Sequence, residues 1–539
     1  MTSDFILETS SLEDIYTSSS VSSQAIRWGN LINCFNKTFH TQSPDFIARA
    51  PGRVNVIGEH IDYCGFSVLP AAIEPDLLIA ASASYPSDST EDVNQRVGFN
   101  GQPASVEVVN LNLNYPGEKF TYDHNGHISL GKVGLWTDYI KSAISTAINH
   151  LREDPSKGFK IPESVKLLVD GTVPPGSGLS SSAALATASV LVALRIHQTK
   201  AEVVPKYLAA SLAISTERAC GISVGGMDQT ASVFGQPAKL LHIEFHPATQ
   251  VVPFSVPKQG RINFVIANSF VTSNKIDSAK RQYNLRVVEC RLAARLLSKA
   301  LLPNDSELSI NTLREFVDHY SSSLGNDENN SKTILKSIQL ILERFEEFLG
   351  MHDSLTIEGA IKILGIDGQT FKDEILNGLE VEPKDGKFKI FSRARHVFTE
   401  AKRVYDFRNL LEQATENDKD DEENFEFINR MGELMNESHF SCQVDYDCSC
   451  EELEEIISIA RANGSLGSRL TGAGWGGSTV HLVRDEDTTR LIDSIKEQYY
   501  HKRFNINGIG ANDSDKKYDL DQACFSTKPQ GGACVFKMV

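Results

Sequence analysis

Four short stretches of this chain gather the residue types that can do chemistry. In the first, APGRVNVIGEHIDY, Arg53, Glu59, His60 and Asp62 fall within ten residues of otherwise apolar sequence. Buried charges are costly unless they are paired or used. A mixed set of donors and acceptors of this kind suits a ligand rich in hydroxyl groups, such as a sugar. Two local alternatives stand beside it: a structural ion pair between Arg53 and Glu59, and a metal site on Glu59, His60 and Asp62. Adjacent side chains point apart in a strand, which weighs against the metal.

The second stretch is PPGSGLSSSAA. A strand candidate, Val165–Val169, runs into a turn with Gly176 and Gly178, and a helix opens on Ser180, Ser181 and Ser182. Glycines allow close approach of the backbone, and the free N–H groups and dipole at a helix start favour an anion. Serine hydroxyls add donors, or an oxygen ligand for a divalent cation. One serine would suffice for a plain helix cap; three between glycines point to a polyphosphate. No G-x4-G-K-[ST] loop occurs.

In the third stretch, SRLTGAGWGGSTVHL, Gly472, Gly474 and Gly477 match G-x-G-x-x-G. A dinucleotide fingerprint needs a helix after the glycines, whereas a strand follows here. We expect a tight turn lying close to a ligand or to the opposite domain. The fourth stretch, VGGMDQTAS, puts Asp228 after two glycines and just beyond a helix that carries Glu217. Asp228 could equally cap the next helix.

These residues need elements to hold them. Helices are expected over about Ser180–Ile196, Lys206–Ala219, Tyr283–Leu302 and Glu451–Ala462, and strands at Leu77–Ala81, Ile262–Ala267, Ser478–Val483 and Ala533–Phe536. The order is mixed, without internal repeats, and changes character near residue 250. That predicts an α+β chain with a flexible tail over 1–27, a domain over 28–250 and a second over 251–539, with a cleft between the two. Residues 303–427 read as polar and acidic, with solvent loops around 324–330 and 416–423.

Composition narrows the class. Of 539 residues, 41% are hydrophobic and 23% charged, an ordinary globular profile. Fifty-three basic against 70 acidic residues leave a formal charge of −17, which disfavours nucleic acid and anionic membranes as partners. Nine cysteines without a framework suit a reducing compartment, and Cys442, Cys448 and Cys450 lack the second pair of a zinc site. The N-terminus is acidic with no apolar core, unlike a targeting signal. The apolar run Ala183–Ile196 is shorter than the roughly 20 residues of a membrane span. The expected location is cytoplasmic.

Together the motifs resemble a known family. GRVNVIGEHIDY is similar to the galactokinase signature. PPGSGLSSSAA resembles the phosphate loop of the wider galacto-, homoserine, mevalonate and phosphomevalonate (GHMP) kinases, and SRLTGAGWGGSTVHL resembles their third motif. Order and spacing match from about residue 45 to the end. The length, the 303–427 region and MNESHFSCQVDYDCSC resemble the fungal branch. Pro175 stands where threonine is usual, which alters stiffness but not charge.

The resemblance implies a two-lobed GHMP kinase fold of mixed sheets and helices. It implies transfer of the γ-phosphate of ATP to the C1 hydroxyl of α-D-galactose, with Mg2+. Carried over by motif position, Asp228 is the base for the sugar O1 and Arg53 its partner. Arg53, Glu59, His60, Asp62, Gly226 and Asp228 would hold the sugar, with Tyr283 against it. Gly176, Ser177, Gly178, Leu179, Ser180, Ser181 and Ser182 would hold the phosphates, and Trp136 would flank the adenine. Ser182 and Glu217 would ligate Mg2+, the choice of serine being open. The resemblance also brings two rivals. One is a galactose- and ATP-dependent inducer that binds a transcriptional repressor protein, as a sole or second function. The intact Ser180–Ala184 run favours kinase chemistry. The other is an N-acetylgalactosamine kinase, which needs more room near the sugar C2.

Overall fold

A computed structural model describes residues 4–41, 43–86, 103–131, 135–153, 158–199, 202–222, 224–257, 262–272, 278–302, 310–325, 331–349, 354–416, 421–504 and 519–538. The first lobe opens with β1 (Leu7–Thr9), α1 (Val21–Phe39), β2 (Phe46–Ile57) and β3 (Leu69–Ser84). It continues through β4 (Ala104–Asn110), β5 (Glu118–Tyr122), α2 (Thr137–Glu153) and β6 (Ser164–Gly171). Helices α3 (Ser181–His197), α4 (Lys206–Ala219) and α5 (Met227–Phe234) follow, then the hairpin of β7 (Lys239–Glu244) and β8 (Gln250–Ser255).

The second lobe starts at β9 (Ile262–Asn268) and α6 (Tyr283–Leu301), followed by α7 (Leu313–Ser323) and α8 (Ser331–Leu349). A small pair, β10 (Ser354–Leu355) and β11 (Phe388–Lys389), brackets α9 (Ile357–Leu364) and α10 (Gly368–Thr370). Then come α11 (Phe391–Glu416), α12 (Asp421–Val444), α13 (Glu451–Ala462), β12 (Gly467–Thr471) and β13 (Ser478–Arg484). The chain closes with α14 (Thr488–Ile495), β14 (Cys524–Thr527) and β15 (Cys534–Lys537).

The large sheet runs β1-β15-β2-β3-β6-β4-β5, and the second sheet β12-β13-β9-β14. After the β7–β8 hairpin the chain enters β9 of the second sheet. Strand β15 crosses back, however, pairing antiparallel with β2 and parallel with β1, so the end of the chain completes the first lobe. Helix α3 explains its own position. Its sequence is apolar on every side, so it can only be buried, and it packs between β2, β3, α2, α4 and α5. Leu185, Val190, Leu191, Leu194 and Ile196 are almost fully enclosed. Each such side chain contributes about 1.5–3 kcal/mol relative to exposure.

Over residues 4–27 the expected flexible tail is not what forms; residues 1–3 lie outside the described residues. Ile6, Ile15, Tyr16 and Trp28 are buried, and β1 is a paired strand. Buried Asp76 accepts from the Tyr16 hydroxyl, Arg27 and Arg49, each at 2.6 Å. Burial alone would raise its pKa; the two guanidinium groups override that and lower it. The Ser/Thr-rich composition hid these few anchors.

The polar and acidic stretch 303–427 carries α7, α8, α9 and α11, and the expected loop around 416–423 is bounded by the end of α11 at Glu416 and the start of α12 at Asp421. Parts of both expected loops, 326–330 and 417–420, lie outside the described residues. Among the described residues no group of three His, Cys, Asp or Glu could hold a metal ion, and no helix is long and apolar enough to cross a membrane. Cys442 and Cys448 are buried thiols, with the Cys448 Sγ turned to the Cys442 carbonyl.

Candidate functional site

The irregularity that builds the site is in β2. All twelve of its residues are buried, and its register with β3 shifts between Pro51 and Arg53. Such bulges re-aim side chains. Arg53 is turned across the cleft to Asp228 on α5. Its Nε and Nη2 both reach Asp228 Oδ1 at 2.7 Å, and its Nη1 donates to the Gly178 carbonyl at 2.6 Å. The Ser180 hydroxyl donates to Asp228 Oδ2 at 2.6 Å. The local alternatives are thereby answered. Arg53 pairs with Asp228 rather than Glu59, and Gly226, not Asp228, is the residue that caps α5.

The serine loop hangs on these contacts. Its glycines Gly176 and Gly178 have φ of 69° and 75°. A Cβ on Gly178 would lie 2.8 Å from the Thr471 carbonyl, and one on Gly472 would lie 2.6 Å from the Gly178 carbonyl. The third motif therefore packs on the phosphate loop, backbone against backbone, and Ser478 adds a hydrogen bond to the Ser177 carbonyl at 2.7 Å. The loop's hydroxyls have separate tasks. Ser177 turns back to the Pro174 carbonyl at 2.6 Å. Ser180, left-handed at φ 61°, makes no side-chain cap on α3. Ser182 hydrogen-bonds Tyr139. The Leu179 side chain is buried, and its carbonyl accepts from Arg53 N–H at 3.1 Å. Ser181 begins α3, whose opening N–H groups face no serine cap. A left-handed serine costs on the order of 1–3 kcal/mol, which the burial of α3 easily offsets.

On the sugar-signature side, Glu59 accepts from Arg469 Nη2 and from the Gly472 N–H, each at 3.1 Å. Burial outweighs the nearby guanidinium groups of Arg469 and Arg53 and pushes its carboxyl up to about 7. Asp62 is pushed up to about 6 by burial and by Asp228, against hydrogen bonds from the Tyr63 and Met227 amides. It lies so close to Gly225 that a Cβ there would fall 2.1 Å from Asp62 Oδ2. His60 is engaged at both nitrogens, by the Tyr63 hydroxyl at 3.0 Å and the Ala473 carbonyl at 2.9 Å. Burial drives its pKa down to about 3, so the ring is neutral. Tyr283 packs on His60 and Tyr63, with ring centroids 5.8 and 5.4 Å away. Its hydroxyl is held well above its ordinary pKa by burial and by the carboxylates of Asp62, Asp228 and Glu59.

Buried Glu217 accepts from Gln229, one residue after Asp228, and lies near Tyr139. Trp136 sits just before α2, with its indole N–H on the Pro116 carbonyl at 3.0 Å. Tyr139, three residues on, links that helix start to Ser182.

Sequence reasoning missed the supports. Glu400 on α11 accepts from the Gly58 and Glu59 amides at 2.9 and 3.2 Å and from Ser438 at 2.7 Å. Burial opposes its ionisation, but Arg403 and Arg469 hold it down to about 2. Arg469 also donates to the Asn55 carbonyl at 2.9 Å, and the Tyr446 and Tyr63 hydroxyls meet at 2.6 Å. Arg469 lay inside a motif already singled out. Glu400 sits in a densely charged helix sequence that carries no such signal.

This architecture has relatives. The galactokinase galactose-binding signature matches residues 33–83, the GHMP kinases N terminal domain residues 138–236, and the GHMP kinases C terminal domain residues 422–501. The chain is 36% identical to a galactokinase of Candida albicans, with 94% of this chain and 95% of that protein covered. This chain belongs to the galactokinase family. Galactokinases of Schizosaccharomyces pombe and Saccharomyces cerevisiae are each 33% identical, over 95% of both chains and 92% of both chains respectively. The crystal structure of Lactococcus lactis galactokinase complexed with galactose superposes with a TM-score of 0.60 at 22% identity, covering 94% of this chain and 99% of that one. The α+β GHMP kinase fold expected from the motifs is therefore the observed one, and the galactokinase family carries ATP-dependent sugar kinase chemistry into it.

Proposed function

We propose that the chain transfers the γ-phosphate of ATP to the C1 hydroxyl of α-D-galactose, giving galactose 1-phosphate. The observation that carries the reading is the Arg53–Asp228–Ser180 cluster at the mouth of α3. It sets a carboxylate, a guanidinium and a helix start side by side in one cleft.

Phosphoryl transfer needs alignment and charge neutralisation more than covalent work. Asp228, fixed by Arg53, takes the O1 proton late, as the bond from O1 to phosphorus forms and ADP leaves. Glu59, His60, Asp62 and Gly226 line the sugar side, and Tyr283 closes it. The loop from Gly176 to Ser182 receives the phosphates on amides that no side chain caps. Trp136 flanks the adenine. Mg2+ fits the donors present. Glu217 is a buried carboxylate close to Tyr139, which hydrogen-bonds the Ser182 hydroxyl. One or two protein oxygens plus substrate phosphates is the usual Mg2+ environment. When bound, the ion neutralises phosphate charge. A cytoplasmic enzyme with ATP and D-galactose as its substrates accounts for all of these features.

The test is turnover of galactose, glucose, 2-deoxygalactose and N-acetylgalactosamine by the full chain with ATP and Mg2+. Galactose is expected to be phosphorylated fastest, and preference for N-acetylgalactosamine would overturn the substrate. Galactose-dependent capture of a repressor without turnover would favour the inducer reading.

A further inference from the structure

Both oxygens of Asp228 already accept hydrogen bonds, yet from different partners. Oδ1 takes Arg53, and Oδ2 takes Ser180 at 2.6 Å. We propose that Ser180 is a positioning residue for Asp228, fixing the plane of the carboxylate relative to the sugar hydroxyl, and is not a phosphate ligand through its side chain. The proposal rests on the reading of Asp228 as the base.

Three observations support it. The terminal torsion of an aspartate is soft, and Arg53 holds Oδ1. Ser180 supplies the second anchor. Second, Ser180 departs from its expected local behaviour. A serine before a helix ordinarily accepts an amide N–H with its side chain. Here it holds φ 61° and ψ 44°, makes no cap, and is buried. That backbone shape aims the hydroxyl across the cleft at Asp228. Third, the same loop is tied to the pair twice, by Ser180 to Asp228 and by Arg53 Nη1 to the Gly178 carbonyl. The loop that takes the phosphates thus sets the position of the group that takes the proton. Small misplacements of reacting groups are expensive in rate.

The experiment compares Ser180→Ala and Ser180→Gly in the full chain, alone and combined with Asp228→Asn. Glycine accepts the left-handed backbone without strain, so it removes the hydroxyl while keeping the loop's shape. Both single variants are expected to lose about tenfold to a hundredfold in kcat, the worth of a hydrogen bond to a charged group. KM for galactose and ATP should stay within about twofold, the signature of a contact that matters in the transition state. In the Asp228→Asn background the same changes should cost nothing further, because the residues act as a unit. A raised KM for ATP at unchanged kcat would make Ser180 a phosphate ligand and overturn the proposal. So would a full additional loss on top of Asp228→Asn. Near-normal turnover of Asp228→Asn itself would instead remove the base, a separate and distinguishable failure.

Discussion

Arg53 grips a single oxygen of Asp228 with two of its nitrogens, Nε and Nη2, each 2.7 Å away, and spends its third on the Gly178 carbonyl. One guanidinium thereby joins β2, α5 and the serine loop. Lysine has one charge centre and no planar fork. Arg53→Lys is expected to lose at least about a hundredfold in kcat, comparable to loss of other preorganised donors. Steady-state kinetics at saturating galactose and ATP check this.

Asp228→Ala removes the proposed proton acceptor and the carboxylate that Arg53 holds. We expect kcat to fall by about 10²–10⁴, the range for a positioned base. Binding of ATP, measured by calorimetry, should persist in weakened form, because the loop loses its Ser180 contact but keeps Arg53 Nη1 on the Gly178 carbonyl and the packing of Gly472 on Gly178.

Glu400 on α11 holds the Gly58 and Glu59 amides. Glu400→Gln keeps one acceptor oxygen but loses the charge that Arg403 and Arg469 enclose. The expected outcome is a raised KM for galactose, a smaller change in KM for ATP, and a lower unfolding midpoint. An unchanged galactose KM would detach α11 from the sugar site.

Stability should depend on pH through Glu59. Its folded value of about 7 lies above the ordinary 4.5. The neutral form is therefore favoured in the fold; the contribution is complete below pH 4.5 and is lost as pH rises through about 7. Glu59→Gln stays neutral and lacks that loss. Thermal melts across the window should show the parent falling more steeply than Glu59→Gln.

Asp76 serves three donors, two of them arginines. Asp76→Ala leaves Arg49 buried and uncompensated, a change that costs about 3–5 kcal/mol in comparable cases. Urea unfolding should show it, with α1 losing its anchor.

Much of the fold was legible because period and punctuation are local. The all-apolar run of α3, the helix at Lys206–Ala219 and the strand at Ser478 follow from spacing alone. The N-terminal segment was misread, since Tyr16 and Arg27 gain meaning only from Asp76, some fifty residues away in the chain. The helices of the polar stretch 303–427 were not assigned from sequence, because their buried faces are interspersed with surface charge.

From its residues alone, this chain determined which groups were available: a charged cluster in an apolar strand, glycines beside serines, and a carboxylate after a glycine pair. Those are properties of short segments, and short segments suffice to offer an anion site or a lining for hydroxyls. Tertiary structure decided who partners whom. Arg53 could have met Glu59 nearby; instead the β2 bulge and the packing of Gly472 on Gly178 deliver it to Asp228, and Arg469 takes Glu59. A pairing between residues 175 positions apart is set by how sheets and helices close over their apolar faces, which no local pattern contains.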